Sequence, residues 1–226
     1  MAPICLLLSG AALLLNGLAA LDLLPRRDAA VFSLVIGGIQ LVLGVAYLGI
    51  TDDGGPHLLL GAAGMVLFGL TYVYVGLDYL LGLGSRGLGW FCGMVATSGP
   101  LLAAAWSAED PLLAVLWLCW TYLWLLFFLQ LALGFGRLGP LIGWSLVLTS
   151  QASATVPAFL GITGRWPDGP EAAPAAAAAA AALAFLLLLA GGLAWRGRCG
   201  GQTAARTAVA GTAAVMERPL PDQLKL

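Results

Sequence analysis

The stretch VLWLCWTYLWLL, from Val115 to Leu126, has no charged residue and carries three tryptophans, at positions 117, 120 and 124. Steps of three and four residues return side chains to the same side of an α-helix, so the indoles form one stripe about two turns long. The apolar run around them extends from Pro111 to Phe135. It exceeds the roughly 18 to 20 residues that a helix needs to cross a hydrocarbon layer. The stretch therefore predicts a membrane-spanning helix with one aromatic face.

Similar apolar runs recur along the whole chain. Its 226 residues are 61% hydrophobic and 9% charged, and the mean hydropathy is +0.96, well outside the range of soluble domains. The six runs long enough to span are Ile4–Leu21, Ala29–Ile50, Leu58–Leu83, Leu88–Trp106, Pro111–Phe135 and Leu138–Ile162. A seventh, Ala175–Trp195, begins in an alanine tract and depends on its leucines for insertion; a helix outside the membrane is the alternative. We predict an all-α integral membrane protein with a six-helix transmembrane bundle and a seventh transmembrane helix.

Arginine occurs in every second connection between the runs. Short loops rich in Arg or Lys stay on the cytoplasmic side of a membrane, so this alternation predicts an external amino terminus, an external loop at 164–174 and a cytoplasmic tail at 196–226. From Gly200 onward the tail lacks an apolar period and is expected to be disordered. The arginines that set this topology are Arg26, Arg27, Arg86, Arg137, Arg196 and Arg198. The alternate connections TDDGGPH and SAEDP are acidic, and Arg165 in the external loop is the one exception.

The apolar runs contain almost no ionisable group. Asp78 lies near the cytoplasmic end of the third run, where an interfacial anchor is the simplest role, and His57, the single histidine of the sequence, lies at the outer start of the same run. The sequence has no HExxH, no GxSxG with partners and no nucleotide-binding motif, and its four cysteines lack metal-ligand spacing. We therefore expect no enzymatic activity, no catalytic residue, no cofactor, no metal and no nucleic-acid partner.

Neutral polar side chains remain as candidates for function. Each one, taken alone, is explained as an interhelical hydrogen bond worth about 0.6 kcal/mol. Beside the indole stripe the set suggests a narrow uncharged path, although the stripe could equally pack in the core or face lipid. The set comprises Asn16, Gln40, Thr71, Tyr72, Tyr74, Gln130, Thr149, Ser150 and Gln151.

Six segments fall in order on the six predicted spans, within residues 1 to 163. They are LLLNGLAAL, VIGGIQ, LFGLTYVYVGLDYLLGL, GLGWFC, WLCWTYLW and TVPAFL. Their order and placement resemble the AmiS/UreI family of bacterial urea and short-chain amide channels. The resemblance implies a pore within each six-helix protomer and a homohexamer in the bacterial inner membrane. The seventh span at 175–195 and the tail lie outside it.

The resemblance also implies which residues line the pore. Leu113 replaces a further family tryptophan, and Thr149 stands where urea channels carry a glutamate, so the resemblance favours amides over strict urea selectivity. Acid-activated members have several histidines in long outer loops, and a chain with His57 alone is expected to show little gating. The implied lining residues are Leu6, Leu13, Asn16, Phe68, Tyr72, Trp117, Trp120, Trp124 and Thr149.

The function expected from the resemblance is passive diffusion of small neutral amides, including urea, across the lipid bilayer. Leu6 and Leu13 would form apolar constrictions. The competing interpretation is a non-transporting scaffold that docks a cytoplasmic amidase or urease through its tail. The two roles are compatible in one protein.

Overall fold

The computed structural model describes residues 2–49 and 55–216, with side chains up to Gly197. Within these residues all regular structure is helical. The first four spans are α1 (Ala2–Ala20), α2 (Arg26–Leu48), α3 (Pro56–Leu81) and α4 (Arg86–Trp106). The fifth is α5 (Pro111–Phe127) continued by a π-helical segment (Phe128–Ala132), and the sixth is α6 (Gly139–Ser150), a second π-helical segment (Gln151–Thr155) and α7 (Val156–Ile162). The seventh begins α8 (Gly169–Met216).

The structure confirms the predicted all-α architecture with seven apolar helices. Seven segments among the described residues are long and apolar enough to cross a membrane, and the last of them is Gly169–Gly197. Their bounds lie within a few residues of those predicted in the first six spans. Ile50, the predicted end of the second span, lies outside the described residues.

Proline and acidic residues set where the spans begin and end. Pro111 is the first residue of α5, and the carboxylate of Asp110 accepts a hydrogen bond from the Leu113 N–H at 2.9 Å, as an N-cap residue does. The buried carboxylate of Asp78 accepts from both the backbone N–H and the hydroxyl of Ser85, at the start of α4. Asp78 therefore ties the end of α3 to the start of the next span.

Small residues let the spans approach one another closely. A Cβ at Gly37 of α2 would lie 2.7 Å from both the Gly69 carbonyl oxygen and the Val73 nitrogen of α3. Since these are backbone atoms, no side chain fits there, and close contact between small residues is a common way to pack membrane helices. The second π-helical segment is held similarly, because a Cβ at Gly10 of α1 would overlap Thr155.

The seventh span packs on the outside of the others, against the fifth and sixth. Only 17% of its apolar window is buried, against 50% in the fifth span, and the buried residues include Leu183, Ala190 and Ala194. Its helix starts at Gly169, inside the segment expected as an external loop, with Pro170 and Glu171 in its first turn, where both residue types are favourable.

The helix also continues past the membrane-length segment to Met216. The part of α8 from residue 200 to 216 belongs to the segment expected as a tail. Residues 217–226 lie outside the described residues.

Candidate functional site

The indole stripe of α5 faces the interior of the bundle. Trp117, Trp120 and Trp124 are 3%, 3% and 4% exposed. All three contact Phe68 of α3, with ring centroids 6.1, 5.0 and 4.7 Å away, and the Trp120 ring meets it edge to face. Aromatic pairs at these separations attract one another beyond their area burial. The stripe is thus one wall of an aromatic interior, and the lipid-facing alternative does not hold.

Two of the indoles are fixed by hydrogen bonds to other spans. The Trp120 Nε1–H donates to the Ser153 hydroxyl at 3.2 Å, and the Trp124 Nε1–H donates to the Thr71 hydroxyl at 3.3 Å. Ser153 belongs to the second π-helical segment and Thr71 to α3. These bonds hold the ring planes in place and use the only donor that each indole has.

Two cavities lie along the stripe, one toward each end of the bundle. The acidic-end cavity, of about 380 Å³, lies between the starts of α1, α3 and α5 and includes Asp110 and Trp166 in its wall. The arginine-end cavity, of about 50 Å³, lies deeper, toward the connections that carry Arg86 and Arg137. Phe68 and Trp120 belong to the walls of both, so their rings form the partition between the cavities.

The structure brings eight of the nine predicted lining residues into these walls. Leu6 and Trp117 line the acidic-end cavity, and Phe68 and Trp120 the partition. The arginine-end cavity is lined by Leu13, Asn16, Tyr72 and Trp124.

Thr149 is the exception. It is fully buried, its hydroxyl donates to the Ser145 carbonyl oxygen at 2.7 Å, and it belongs to the wall of neither cavity. The π-helical segment Gln151–Thr155 follows Thr149 in the sixth span. From the sixth span, the Ser153 hydroxyl reaches the indole of Trp120, and no motif or spacing in the sequence singles Ser153 out.

Gln40 of α2 is a further cavity residue that was predicted only as one of several polar groups. It is fully buried and lines the acidic-end cavity. Its Nε2 donates to the Cys5 carbonyl oxygen and to the Ser9 hydroxyl, both at 2.8 Å. Its Oε1 has no hydrogen-bond partner among the described residues. An unsatisfied buried acceptor costs about 1–3 kcal/mol, so this oxygen requires an explanation.

Asn16 repeats this arrangement in the arginine-end cavity. Its Nδ2 donates to the Ala12 carbonyl oxygen at 2.8 Å and to the Ser33 hydroxyl at 2.9 Å. In the part of the chain that the structure describes, its Oδ1 is likewise without a partner. Each cavity therefore has one carboxamide whose N–H groups are engaged and whose oxygen is not.

Among the described residues of the two cavity walls, the charged side chain lies in the acidic-end cavity. The walls of the arginine-end cavity, as far as they are described, contain no ionisable acid or base other than tyrosine, and Asp110 is the one charged residue lining the other cavity. Burial raises the pKa of the Asp110 carboxyl, while the hydrogen bonds from the Leu113 N–H and the Trp166 indole at 3.0 Å oppose that rise. Within the described ranges, no group of three His, Cys, Asp or Glu side chains could hold a metal ion.

The single histidine lies at the rim of the acidic end. The His57 Nε2 is 3.0 Å from the Glu109 Oε1, and both side chains are about half exposed, at 46% and 59%. The His57 ring also packs on Trp106, at 5.3 Å between centroids. Asp52 and Asp53 of the same connection lie outside the described residues. The combined site is an aromatic interior with neutral hydrogen-bonding groups and an acidic rim.

Comparison with known proteins gives consistent relatives. AmiS2 of Rhodococcus erythropolis, named as a transporter, is 42% identical over 76% of this chain and 84% of its own length. A Mycolicibacterium smegmatis protein, named as a transporter of amidate substrates, is 36% identical over 71% of this chain and 76% of its own. The cryo-EM structure of the Helicobacter pylori urea channel in a closed state matches with a TM-score of 0.66 and 28% identity, over 74% of this chain and 100% of that one.

These relatives are named as transporters or channels, not enzymes. They agree with the seven apolar helices in describing a multi-pass membrane protein with a transport role. The family model of AmiS/UreI family transporters matches residues 1–165, and the chain belongs to this family.

Proposed function

We propose that this protein is a passive channel for urea and short-chain aliphatic amides. The observation that carries the proposal is the line of two cavities along one indole stripe, separated by the Phe68 and Trp120 rings and free of ionised side chains beyond Asp110 in their described walls. Amides and urea are planar, neutral and strongly hydrogen-bonding. A path of this kind offers them aromatic faces and a few polar groups without the charge that would hold them.

The energetics favour neutral solutes over ions. Burying a polar group without a hydrogen-bond partner costs several kcal/mol, and burying an unpaired charge costs far more. Contact with aromatic rings returns on the order of 1 kcal/mol each. The described walls of the two cavities contain many aromatic rings, and at the partition they contain no charged side chain that could pair with an ion. Weak contacts at successive sites also favour release, as rapid passage requires.

Amides are the favoured substrates within this class. The residue at position 113 is leucine, and Leu113 lines the acidic-end cavity, so the entrance there is less polar than a tryptophan would make it. The two relatives named as transporters are more identical to this chain, at 42% and 36%, than the acid-activated urea channel of Helicobacter pylori, at 27%. Both observations support acetamide and propionamide as substrates besides urea.

We also propose a homohexamer in the bacterial inner membrane, with the amino terminus outside and the end of α8 in the cytoplasm. The hexamer rests on the family resemblance. The orientation is supported by Arg26, Arg86, Arg137 and Arg196, which follow alternate spans and therefore share one end of the bundle. The acidic-end cavity then opens to the outside.

Stopped-flow light scattering on proteoliposomes tests the function. Urea, acetamide and propionamide are imposed as osmolytes on vesicles with and without the protein, and potassium chloride serves as the charged control. We expect faster entry of all three neutral solutes than in empty vesicles, with no added salt permeability. Rates equal to those of empty vesicles for all three would contradict the proposal.

A further inference from the structure

The Gln40 carboxamide has both of its N–H groups engaged and its oxygen without a partner among the described residues. Its two N–H bonds go to a backbone carbonyl oxygen, that of Cys5, and to the Ser9 hydroxyl. A carbonyl oxygen can only accept, so the contact with Cys5 fixes which end of the carboxamide is nitrogen. The oxygen end is left without a partner among the residues that the structure describes.

The position of Gln40 in a cavity wall favours a role in solute binding over a role in folding. Gln40 is fully buried and contributes to the wall of the acidic-end cavity, next to Ser9 and Leu6 of α1. An interhelical bond between α1 and α2 would be complete with the two N–H contacts alone. The two N–H bonds join α1 to α2, but they do not require an oxygen that is buried without a partner.

We infer that the Gln40 oxygen accepts a hydrogen bond from the N–H of a passing amide, so that the path selects solutes by the N–H donors they carry. Asn16 supplies the second such acceptor, in the arginine-end cavity, with the same division between engaged N–H groups and a free oxygen across the described residues. This inference rests on the proposed function and specifies its substrate chemistry.

The indoles reinforce this selection. The N–H groups of Trp120 and Trp124, at and beyond the partition, are already bonded to Ser153 and Thr71. These N–H groups are therefore not available as donors to a solute. A solute with N–H groups finds acceptors in both cavities, whereas one with a carbonyl alone cannot use them. Because the Gln40 and Asn16 oxygens are enclosed in this structure, the solute displaces a neighbouring wall side chain to reach them.

Three isomeric amides separate this selection from selection by size. Propionamide, N-methylacetamide and N,N-dimethylformamide have the same formula and carry two, one and no N–H groups. In proteoliposomes, after subtraction of the rates in empty vesicles, we expect permeability through the protein to fall in that order. Equal permeability for the three, with urea and propionamide still transported, would overturn the inference and leave the proposed function standing. No transport of any solute would instead overturn the proposed function.

Gln40→Met tests the residue itself. It removes the acceptor, and with it the two N–H bonds to α1, with little change in volume. We expect propionamide permeability to fall about three- to tenfold, the range for one net hydrogen bond, with N,N-dimethylformamide unaffected. Gln151→Met is the matched control, because Gln151 is exposed and belongs to neither cavity wall. Unchanged or equally reduced permeability for both solutes in Gln40→Met would overturn the inference. If Gln40→Met does not assemble, the isomer series on the unaltered protein decides.

Discussion

The acidic-end and arginine-end cavities share the Phe68 and Trp120 rings but differ greatly in size, at about 380 and 50 Å³. A cavity needs roughly 10–15 Å³ of such volume to hold one water. The larger cavity therefore has room for a solute together with hydration water, and the smaller has room for only a few water-sized groups. We infer that a solute loses its water at the partition, and that the arginine-end cavity sets the resistance of the path.

Removal of the partition is expected to have the largest effect on permeability. Trp120→Ala would join the two cavities and take away one ring from the Phe68 contact and the bond to Ser153. We expect propionamide permeability to change by more than about tenfold, with a smaller difference between urea and propionamide, and a stability loss of about 3–5 kcal/mol. Stopped-flow entry rates and thermal unfolding of the purified oligomer measure both.

Trp195→Ala controls for loss of a tryptophan as such. Trp195 is 66% exposed on α8 and lines neither cavity. Its replacement should leave the entry rates unchanged. Unaltered flux of every solute in an intact Trp120→Ala oligomer would return the indole stripe to a packing role.

A matched pair on α1 locates the resistance. Leu13 lines the arginine-end cavity and Leu6 the acidic-end cavity. Leu13→Ala should raise propionamide permeability on the order of five- to tenfold, because it widens the narrower cavity. Leu6→Ala should have a much smaller effect, because it widens a cavity that is already large. The reverse order in stopped-flow rates would place the resistance at the acidic end.

A lower pH is expected to have the smallest effect on permeability, through the titratable groups at the acidic end. The raised pKa of Asp110 means that its carboxylate is neutralised at a higher pH than an ordinary aspartate, and the His57–Glu109 pair is an exposed one. Exposed pairs contribute about 0–1 kcal/mol, and a neutral solute does not respond directly to the charge of Asp110. Urea permeability should therefore change less than about threefold between pH 7 and pH 5.

A pH series of entry rates, repeated with His57→Gln, checks this expectation. The variant should follow the same shallow profile as the unaltered protein. A steep rise on acidification that His57→Gln abolishes would show that the rim gates the path after all.

The sequence predicted the spans well because apolar length is a property of each segment by itself. It also predicted that Trp117, Trp120 and Trp124 share a side of α5, since a regular helix fixes that relation. It left open what the stripe faces, which depends on Phe68 from another span. That contact became visible only in the structure.

The sequence does not determine which polar groups from different spans become hydrogen-bond partners. The resemblance implies Thr149 as a lining residue, whereas the structure places Thr149 in neither cavity wall and Ser153 against Trp120. Gln40 was one of many polar residues in apolar runs, and nothing local reveals that its N–H groups are engaged and its oxygen is not.

The ring partition has a further consequence for bioenergetics. Protons cross membrane proteins along relays of titratable side chains or hydrogen-bonded waters. At Phe68 and Trp120 such a relay meets two aromatic rings, and the indole N–H that could join it already binds Ser153. Under the proposed function, the partition would let a neutral amide pass while interrupting any proton relay between the two cavities.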